Sequence, residues 1–200
     1  MKQLKSSPVI CFLSLVLVAI VYGGIMSAAE WVVVQNKEGQ IEISFPQPPA
    51  EMSFDLPFLN SPRLGNVHVY CTEFEKNSFI LCSLKEEKSA QDFLNPAVFK
   101  QIFENKLAPH IFYDPTVLKE STAFDTKPTK IHGVPALLFE MHYVDAGTGR
   151  RLRGIALVKN EQLHTLFSVA EEVHFDEKLY DRFFNSLSIE EESEVQHPSK

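Results

Sequence analysis

The side chains with the greatest capacity for chemistry lie in the second half of the sequence, on segments that alternate like β-strands. With turns centred on residues 145–149 and 159–162, one face of the predicted sheet carries a carboxylate, an imidazole, two guanidinium groups and a hydroxyl: Glu140, His142, Arg151, Arg153 and Ser168. In this register His142 lies opposite Arg153, and Arg153 lies opposite Ser168. Such a patch could bind an anion or support acid–base chemistry. The alternative is a structural polar rim, with Glu140 and Arg153 as a diagonal ion pair.

Short catalytic motifs are absent from the sequence. It has no G-x-S-x-G, no phosphate-binding loop, no G-x-G-x-x-G after a strand, no H-E-x-x-H and no C-x-x-C. Gly147-Thr148-Gly149 joins two predicted strands and opens no helix, which indicates a hairpin turn rather than a phosphate site. We therefore predict that the protein is not an enzyme. The remaining catalytic alternative is a hydrolase with an unfamiliar arrangement.

The spacing of histidines and carboxylates does not match a metal site. Glu140 and His142 share one side of a strand, and His164 points to the same face several residues away along the sheet. No pair among the other histidines has the spacing of a closed zinc site: His68, His110, His132 and His174. We predict no metal and no other cofactor.

A predicted three-stranded antiparallel meander over residues 134–170 holds the polar patch in place. Its second face is apolar from end to end: Leu137, Phe139, Met141, Tyr143, Leu152, Ala156, Val158, Leu163, Phe167 and Val169. Such a face must be covered by another element. The predicted cover is a helix that starts at Asp176 and places five apolar residues on one stripe: Leu179, Tyr180, Phe183, Phe184 and Leu187.

A second helix is predicted over residues 96–108, with Asn95 as its N-cap and Pro96 at its first position. Its apolar stripe consists of Val98, Phe99, Ile102, Phe103 and Leu107. The proline-rich and apolar segment 50–64 predicts a loop that caps the core, the alternative being an exposed loop that docks a partner. Short strands are predicted at residues 31–34, 41–45 and 122–125.

Cys71 and Cys82 lie on two predicted strands that are joined by a turn over residues 75–78. That turn sets the two cysteines directly opposite each other, within reach of a disulfide. The pattern therefore predicts a Cys71–Cys82 disulfide in an exported chain. The alternative is a pair of buried free thiols on the apolar face beside Val67, Val69 and Ile80.

The first 29 residues have the layout of a secretory signal peptide. A lysine-containing start precedes an apolar run over residues 9–22, and Ser27-Ala28-Ala29 offers small residues for cleavage. The alternative is an uncleaved anchor, because residues 8–29 are just long enough to span a bilayer. The protein is accordingly predicted to be exported, as a periplasmic or secreted protein or one anchored in the inner membrane by residues 8–29.

The charge and the length of the chain limit its possible partners and its number of domains. Residues 1–29 contain two lysines and no acidic residue, so their removal changes the net charge from −7 to −9. An acidic chain without a Lys/Arg run is a poor candidate for binding nucleic acid or an anionic membrane surface. Residues 30–189 suit one globular domain, and residues 190–200 are predicted to be a disordered acidic tail.

Several short segments spread over residues 31–189 occur in the order of a known superfamily: Trp31, Ile41-Glu-Ile-Ser-Phe-Pro46, the helix at 96–108, Gly133-Val-Pro-Ala136 and Phe183-Phe-Asn-Ser-Leu-Ser-Ile189. In these segments the chain resembles the PsbP-like proteins, which include the extrinsic oxygen-evolving subunit of photosystem II, Ran-binding Mog-type proteins and many small exported bacterial proteins. The resemblance implies an α+β fold, an antiparallel sheet flanked by helices as an α/β/α sandwich, and usually no catalysis. It carries over no site residue, since the superfamily has no shared catalytic motif.

We therefore expect an exported, non-enzymatic domain of the cell envelope that acts through protein contacts in the assembly or maintenance of an envelope complex. Its expected partner is another envelope protein, and it contacts the membrane only through the N-terminal segment, if that segment is retained. The alternative is a periplasmic domain that binds a small molecule or anion through the polar patch. Fold alone does not decide between these functions.

Overall fold

The computed structural model describes residues 30–36, 41–57, 64–85, 90–107 and 123–190. Its strands are β1 (Val32–Gln35), β2 (Ile41–Phe45), β3 (Ala50–Pro57), β4 (Leu64–Phe74), β5 (Asn77–Lys85), β6 (Ala123–Ile131), β7 (Val134–Asp145), β8 (Thr148–Lys159), β9 (Gln162–Glu171) and β10 (Ser188–Ile189). Seven of them form an antiparallel sheet in the order β3-β4-β5-β9-β8-β7-β6, and β1-β2-β10 form a small second sheet. The predicted α+β class, with an antiparallel sheet flanked by helices, is confirmed.

Both predicted helices are present, one directly after its predicted N-cap Asn95 and the other directly after Asp176, the predicted start, which is its N-cap. They are α1 (Pro96–Ile102), which continues as a π-helical turn (Phe103–Leu107), and α2 (Glu177–Asn185); 3₁₀ turns occupy Ala90–Leu94 and Glu172–His174. Asn95 Oδ1 accepts a hydrogen bond from the Ala97 amide at 3.0 Å, and Asp176 Oδ1 accepts one from the Lys178 amide at 2.8 Å. Neither helix within the described ranges is long and apolar enough to cross a membrane.

Four hairpins of the large sheet within the described ranges close through two-residue turns whose residues have positive φ: Glu75-Lys76, His132-Gly133, Ala146-Gly147 and Asn160-Glu161. Such turns match the right-handed twist of the strands. The turn between β8 and β9 agrees with the predicted centre at residues 159–162, because Lys159 pairs with Gln162. The turn between β7 and β8 is tighter than predicted, since Asp145 pairs with Thr148.

One face of the large sheet is covered by α1, its π-helical turn and the first 3₁₀ turn. The predicted apolar face of the meander is confirmed, because all ten of its residues belong to this core and only Val158 is partly exposed. Above it pack the residues of the predicted stripe on α1, together with Phe93: Val98, Phe99, Ile102, Phe103 and Leu107. Aromatic edges and faces meet here, with the Phe99 and Phe139 rings 4.9 Å apart.

The predicted cover of that face by the closing helix was wrong. Helix α2 packs against the opposite face of the sheet, where Tyr180 and Phe183 join a second core with Leu166 and the β2 residues Ile41 and Phe45. The prediction failed because the central strands are buried on both faces, and every residue from Gln162 to Ala170 in β9 is buried. A sheet that is buried on both faces must be covered by another element on each face. The apolar pattern does not indicate which helix covers which face.

Two edge segments also differ from the prediction. Residues 50–57 form edge strand β3 rather than a loop, and Met52 and Phe54 on it pack against the first core. Strand β6 extends through Pro128, which an edge strand tolerates because one side of its ladder needs no hydrogen-bond donor. Three parts of the predictions lie outside the described residues: the signal segment (residues 1–29), residues 58–63 of the predicted loop, and residues 191–200 of the predicted tail.

The predicted disulfide is not present, and Cys71 and Cys82 are free thiols. The turn at Glu75-Lys76 shifts the pairing, so Cys71 lies opposite Ile80 and Cys82 lies opposite Val69. Both cysteines contact the first core, as the alternative interpretation predicted. Burial raises the pKa of both thiols, and that of Cys82 reaches about 12 even though the Thr165 hydroxyl interacts with it.

Candidate functional site

The predicted polar patch exists, but its pairing differs from the predicted register. Glu140 lies opposite Arg153, and His142 lies opposite Arg151, because the turn between β7 and β8 has only two residues. The predicted pairing of His142 with Arg153 and the diagonal Glu140–Arg153 arrangement were therefore wrong. The predicted pairing of Arg153 with Ser168 is confirmed.

Two carboxylates bind both arginines, and we call these four residues the arginine network: Glu140, Arg151, Arg153 and Glu177. Arg151 donates to Glu140 Oε1 at 2.6 Å and to Glu177 Oε1 at 2.5 Å. Arg153 donates to Glu177 Oε2 at 2.6 Å, and its Nε lies 3.5 Å from Glu140 Oε2. Two formal positive charges are thus matched by two negative ones.

Aromatic rings cover the two guanidinium groups. Arg151 Cζ lies 4.6 Å from the centre of the Phe175 ring, and Arg153 Cζ lies 4.3 Å from that of Tyr180. Cation–π contacts of this kind add to the ion pairs and hold each guanidinium group in one orientation. The network consequently attaches the start of α2 to strands β7 and β8.

The charge state of Arg151 reflects these contacts. Burial alone would lower its pKa, but hydrogen bonds and charges from Glu140 and Glu177 outweigh that cost and raise the pKa above its usual value. Arg151 is therefore a cation whose charge is already compensated inside the protein.

His142 and Ser168 occupy different settings at the margin of the network. His142 Nε2 lies 3.3 Å from Glu140 Oε1, and its Nδ1 lies 3.5 Å from Glu172 Oε1. Ser168 is fully buried beneath α2, and its hydroxyl has no hydrogen-bond partner among the described residues. The structure thus brings together four of the five predicted site residues and leaves Ser168 in the core.

Sequence reasoning missed the residues that complete the patch from outside the meander: Glu172, Phe175, Glu177 and Tyr180. Glu177 stands in the first turn of α2, where an acidic residue already has a local explanation in the helix dipole. The sequence does contain one signal that could have indicated them, which is the presence of two arginines on a half-buried strand. Partly buried guanidinium groups require carboxylate partners, and these come from the element that covers the strand.

A second polar row crosses the same face on four adjacent strands, in the order Ser53, His68, Ser83 and His164. The Ser53 hydroxyl lies 2.8 Å from His68 Nδ1, and the Ser83 hydroxyl lies 2.9 Å from His164 Nδ1. Burial lowers the pKa of His164 to about 4, although a hydrogen bond with the Lys159 backbone partly offsets this effect. The inner pair is closed to solvent and acts as a hydrogen-bonded pair in the core.

Metal ligation has no support in the part of the chain that the structure describes, because no three His, Cys, Asp or Glu side chains converge there. His142, His68 and His164 each pair with a different residue of the sheet, as described above.

Comparison with known proteins identifies solved structures that have a similar architecture. Among solved structures, it is similar to cyanobacterial PsbP (CyanoP) from Synechocystis sp. PCC 6803, with a TM-score of 0.54 and 11% sequence identity over 84% of this chain and 96% of that chain. The chain has the PsbP fold. The predicted resemblance to PsbP-like proteins is confirmed at the level of the fold, and at this identity the similarity extends to the fold alone.

Two further solved structures match the chain with lower TM-scores. LpqN, which is involved in cell envelope biogenesis of Mycobacterium tuberculosis, has 14% identity and a TM-score of 0.40 over 80% of this chain and 90% of that chain. A protein of unknown function, PA94 from Pseudomonas aeruginosa, has 13% identity and a TM-score of 0.32 over 72% of this chain and 85% of that chain. No protein-family model and no curated protein matches the sequence.

Proposed function

We propose that the protein is an exported, non-enzymatic domain of the cell envelope that contacts another protein in the assembly or maintenance of an envelope complex. The secretory layout of residues 1–29 supports export. Four side chains on the adjacent strands β5 and β9 that carry a hydroxyl or a thiol, Cys82, Ser83, Thr165 and Ser168, are buried from solvent. Their burial supports a role in binding rather than in nucleophilic catalysis.

The observation that carries this proposal is the internal neutralisation of the arginine network. An anionic ligand would have to displace Glu140 and Glu177, which already form charge-assisted hydrogen bonds with both guanidinium groups. Displacement would leave two carboxylates without partners beside half-buried strands. The network therefore supports a structural role over the anion-binding alternative.

Thermal unfolding with phosphate or sulfate at matched ionic strength distinguishes a structural role of the network from anion binding. A ligand at a hundred times its Kd adds about 2.7 kcal/mol to the free energy of unfolding, or roughly 5–10 °C in Tm for a domain of this size. We expect no such rise for the parent protein. The matched positive control is the double variant Glu140→Gln/Glu177→Gln, which frees both arginines and should gain anion-dependent stabilisation. A rise in the parent that Arg153→Ala abolishes would establish the anion-binding alternative.

Mass spectrometry of the full-length gene product, cross-linked in its own envelope and isolated without reduction, tests the protein contact directly. We expect a discrete covalent complex with another envelope protein. The mass of the chain would also show whether residues 1–29 have been removed. A chain that carries a small molecule and forms no protein adduct would contradict the proposed function.

A further inference from the structure

Ser168 is a buried polar residue at the middle of the large sheet, on the face that α2 covers. It lies on β9, the fourth of the seven strands, and is fully buried. Its hydroxyl has no hydrogen-bond partner among the described residues. A buried hydroxyl without a partner costs free energy, and the large majority of buried polar side-chain atoms bond to protein or to an ordered water. The Ser168 hydroxyl therefore points to a small bound group beside it.

The neighbouring strands place Ser168 directly beneath α2. Ser168 lies opposite Phe79 on β5 and opposite Arg153 on β8. The Phe79 and Phe183 ring centres are 5.2 Å apart, and Arg153 Cζ lies 4.3 Å from the centre of the Tyr180 ring. Tyr180 and Phe183 are three residues apart in α2, so they lie on the same side of the helix. The helix thus packs on both cross-strand neighbours of Ser168.

This packing suits a water molecule in both size and chemistry. Serine is much shorter than the phenylalanine and the arginine beside it, so a helix that packs on those two side chains stands off the hydroxyl. Among the described residues, Arg153 uses Nη1 to donate to Glu177, and its Nε lies 3.5 Å from Glu140 Oε2. A guanidinium group has five N–H donors, so Arg153 can also donate to a water.

We infer that one ordered water lies beneath α2 and bridges the Ser168 hydroxyl and the Arg153 guanidinium group. The water accepts a hydrogen bond from Arg153 and forms a second one with Ser168, which gives it the two polar partners that an internal water needs at least. The bridge extends the arginine network from β8 to the middle strand of the sheet. This site does not depend on the protein contact proposed above, because it concerns how α2 is held on the sheet.

A crystal structure of the full-length protein, at a resolution that shows ordered water, tests the site directly. We expect a water at about 2.7–3.2 Å from both Ser168 Oγ and a nitrogen of Arg153. A Ser168 hydroxyl with no water at that distance would overturn the inference.

The sign of the stability change in Ser168→Ala is an independent test. If the water satisfies the hydroxyl, the variant loses a net favourable hydrogen bond, and its equilibrium constant for unfolding should rise roughly fivefold. A hydroxyl buried without any partner would give the opposite sign, because its removal relieves the cost of desolvation. Urea unfolding measures the constant. The matched control is Ser83→Ala, whose hydroxyl lies 2.9 Å from His164 Nδ1 and whose loss should raise the constant at least as much. An unchanged or lower constant in Ser168→Ala would contradict the bridge.

Arginine variants test the second partner of the water. Arg153→Met keeps a long side chain but removes the N–H donors, so Ser168→Ala should have little further effect in that background. The matched control is Arg151→Met, which changes the arginine opposite Ala170 rather than the one opposite Ser168, and there the roughly fivefold effect should persist. Equal effects of Ser168→Ala in the two backgrounds would show that Arg153 does not hold the water.

Discussion

Arg153 on β8 donates a hydrogen bond of 2.6 Å to Glu177 in the first turn of α2, and so joins the sheet to the helix that covers it. Glu177 receives a second hydrogen bond from Arg151. One half-exposed carboxylate from outside the meander thus binds two guanidinium groups, for which the strand pattern alone indicated only Glu140 as a partner.

Replacing Glu177 with Gln should lower the free energy of unfolding by about 1 kcal/mol, or roughly 2–4 °C in Tm. The loss is modest because the Glu177 side chain is 50% exposed, so water screens the ion pairs. Urea unfolding measures it. The matched control is Glu104→Gln, which breaks the looser Lys100–Glu104 pair at 3.7 Å and should cost less than about 0.5 kcal/mol. Equal losses in both variants would contradict a special role for Glu177.

Local signals predicted the two helices and the buried face of the meander. Asn95 indicated the start of α1 because its side chain caps amides that no helical carbonyl can reach, and the apolar stripe from Leu179 onwards indicated the helix after Asp176. The alternation around Phe139 and Phe167 indicated one buried face of the meander. These features depend on neighbours in sequence, and the structure agrees with them.

Local sequence signals could not predict the strand registers or the contacts between residues that lie far apart in the sequence. The two-residue turn, shorter than the predicted connection, moves Arg153 from opposite His142 to opposite Glu140, and both turns fit the same stretch of glycine and small residues. Glu177 contacts Arg151 only because α2 folds back on the face that the alternation did not assign to it. Distinguishing such arrangements requires the packing of the whole chain.

Gly154 is the position where the sheet has least room for a side chain. A Cβ there would lie 2.5 Å from the Leu166 carbonyl oxygen and 2.5 Å from Phe139 Cζ. We expect Gly154→Ala to destabilise the protein by about 2 kcal/mol or more, since backbone and packed rings must shift. The matched control is Gly149→Ala, where the nearest atom is the movable Glu172 carboxylate at 3.3 Å, and there we expect a change within about 0.5 kcal/mol. Thermal unfolding measures the stability of both variants. Equal losses of stability would contradict the expected lack of room for a side chain at Gly154.

The free thiols should differ in reactivity. Cys82 is fully buried and its pKa is raised to about 12, so little of the reactive thiolate exists near neutral pH. We expect iodoacetamide to modify Cys71 slowly in the native protein and Cys82 only after denaturation. Peptide mass spectrometry reads each site, with the denatured protein as control. Rapid native modification of Cys82, or a mass lower by two hydrogens, would contradict the observed pairing of β4 with β5.

The buried imidazole of His164 should make stability depend on pH. Its pKa is 6.5 for an ordinary histidine but about 4 in the folded protein, because burial disfavours the charged ring. Below pH 6.5 the unfolded chain therefore takes up a proton that the native protein does not, and the free energy of unfolding falls as the pH falls. The loss develops between pH 6.5 and about 4 and reaches about 3 kcal/mol.

Urea unfolding at neutral pH and near the acid end of that range isolates this contribution through His164→Gln, whose amide can still bond to the Ser83 hydroxyl but does not titrate. We expect the variant to lose roughly 2–3 kcal/mol less than the parent on acidification. The matched control is His68→Gln, which changes the half-exposed histidine of the Ser53–His68 pair on the same row and should leave the parent's loss largely intact. Carboxylates that titrate in the same range act equally in all three proteins, so they cancel in the comparison. If the parent and His164→Gln lose the same stability, His164 is protonated in the native protein, and its burial beneath the second sheet and α2 is incomplete.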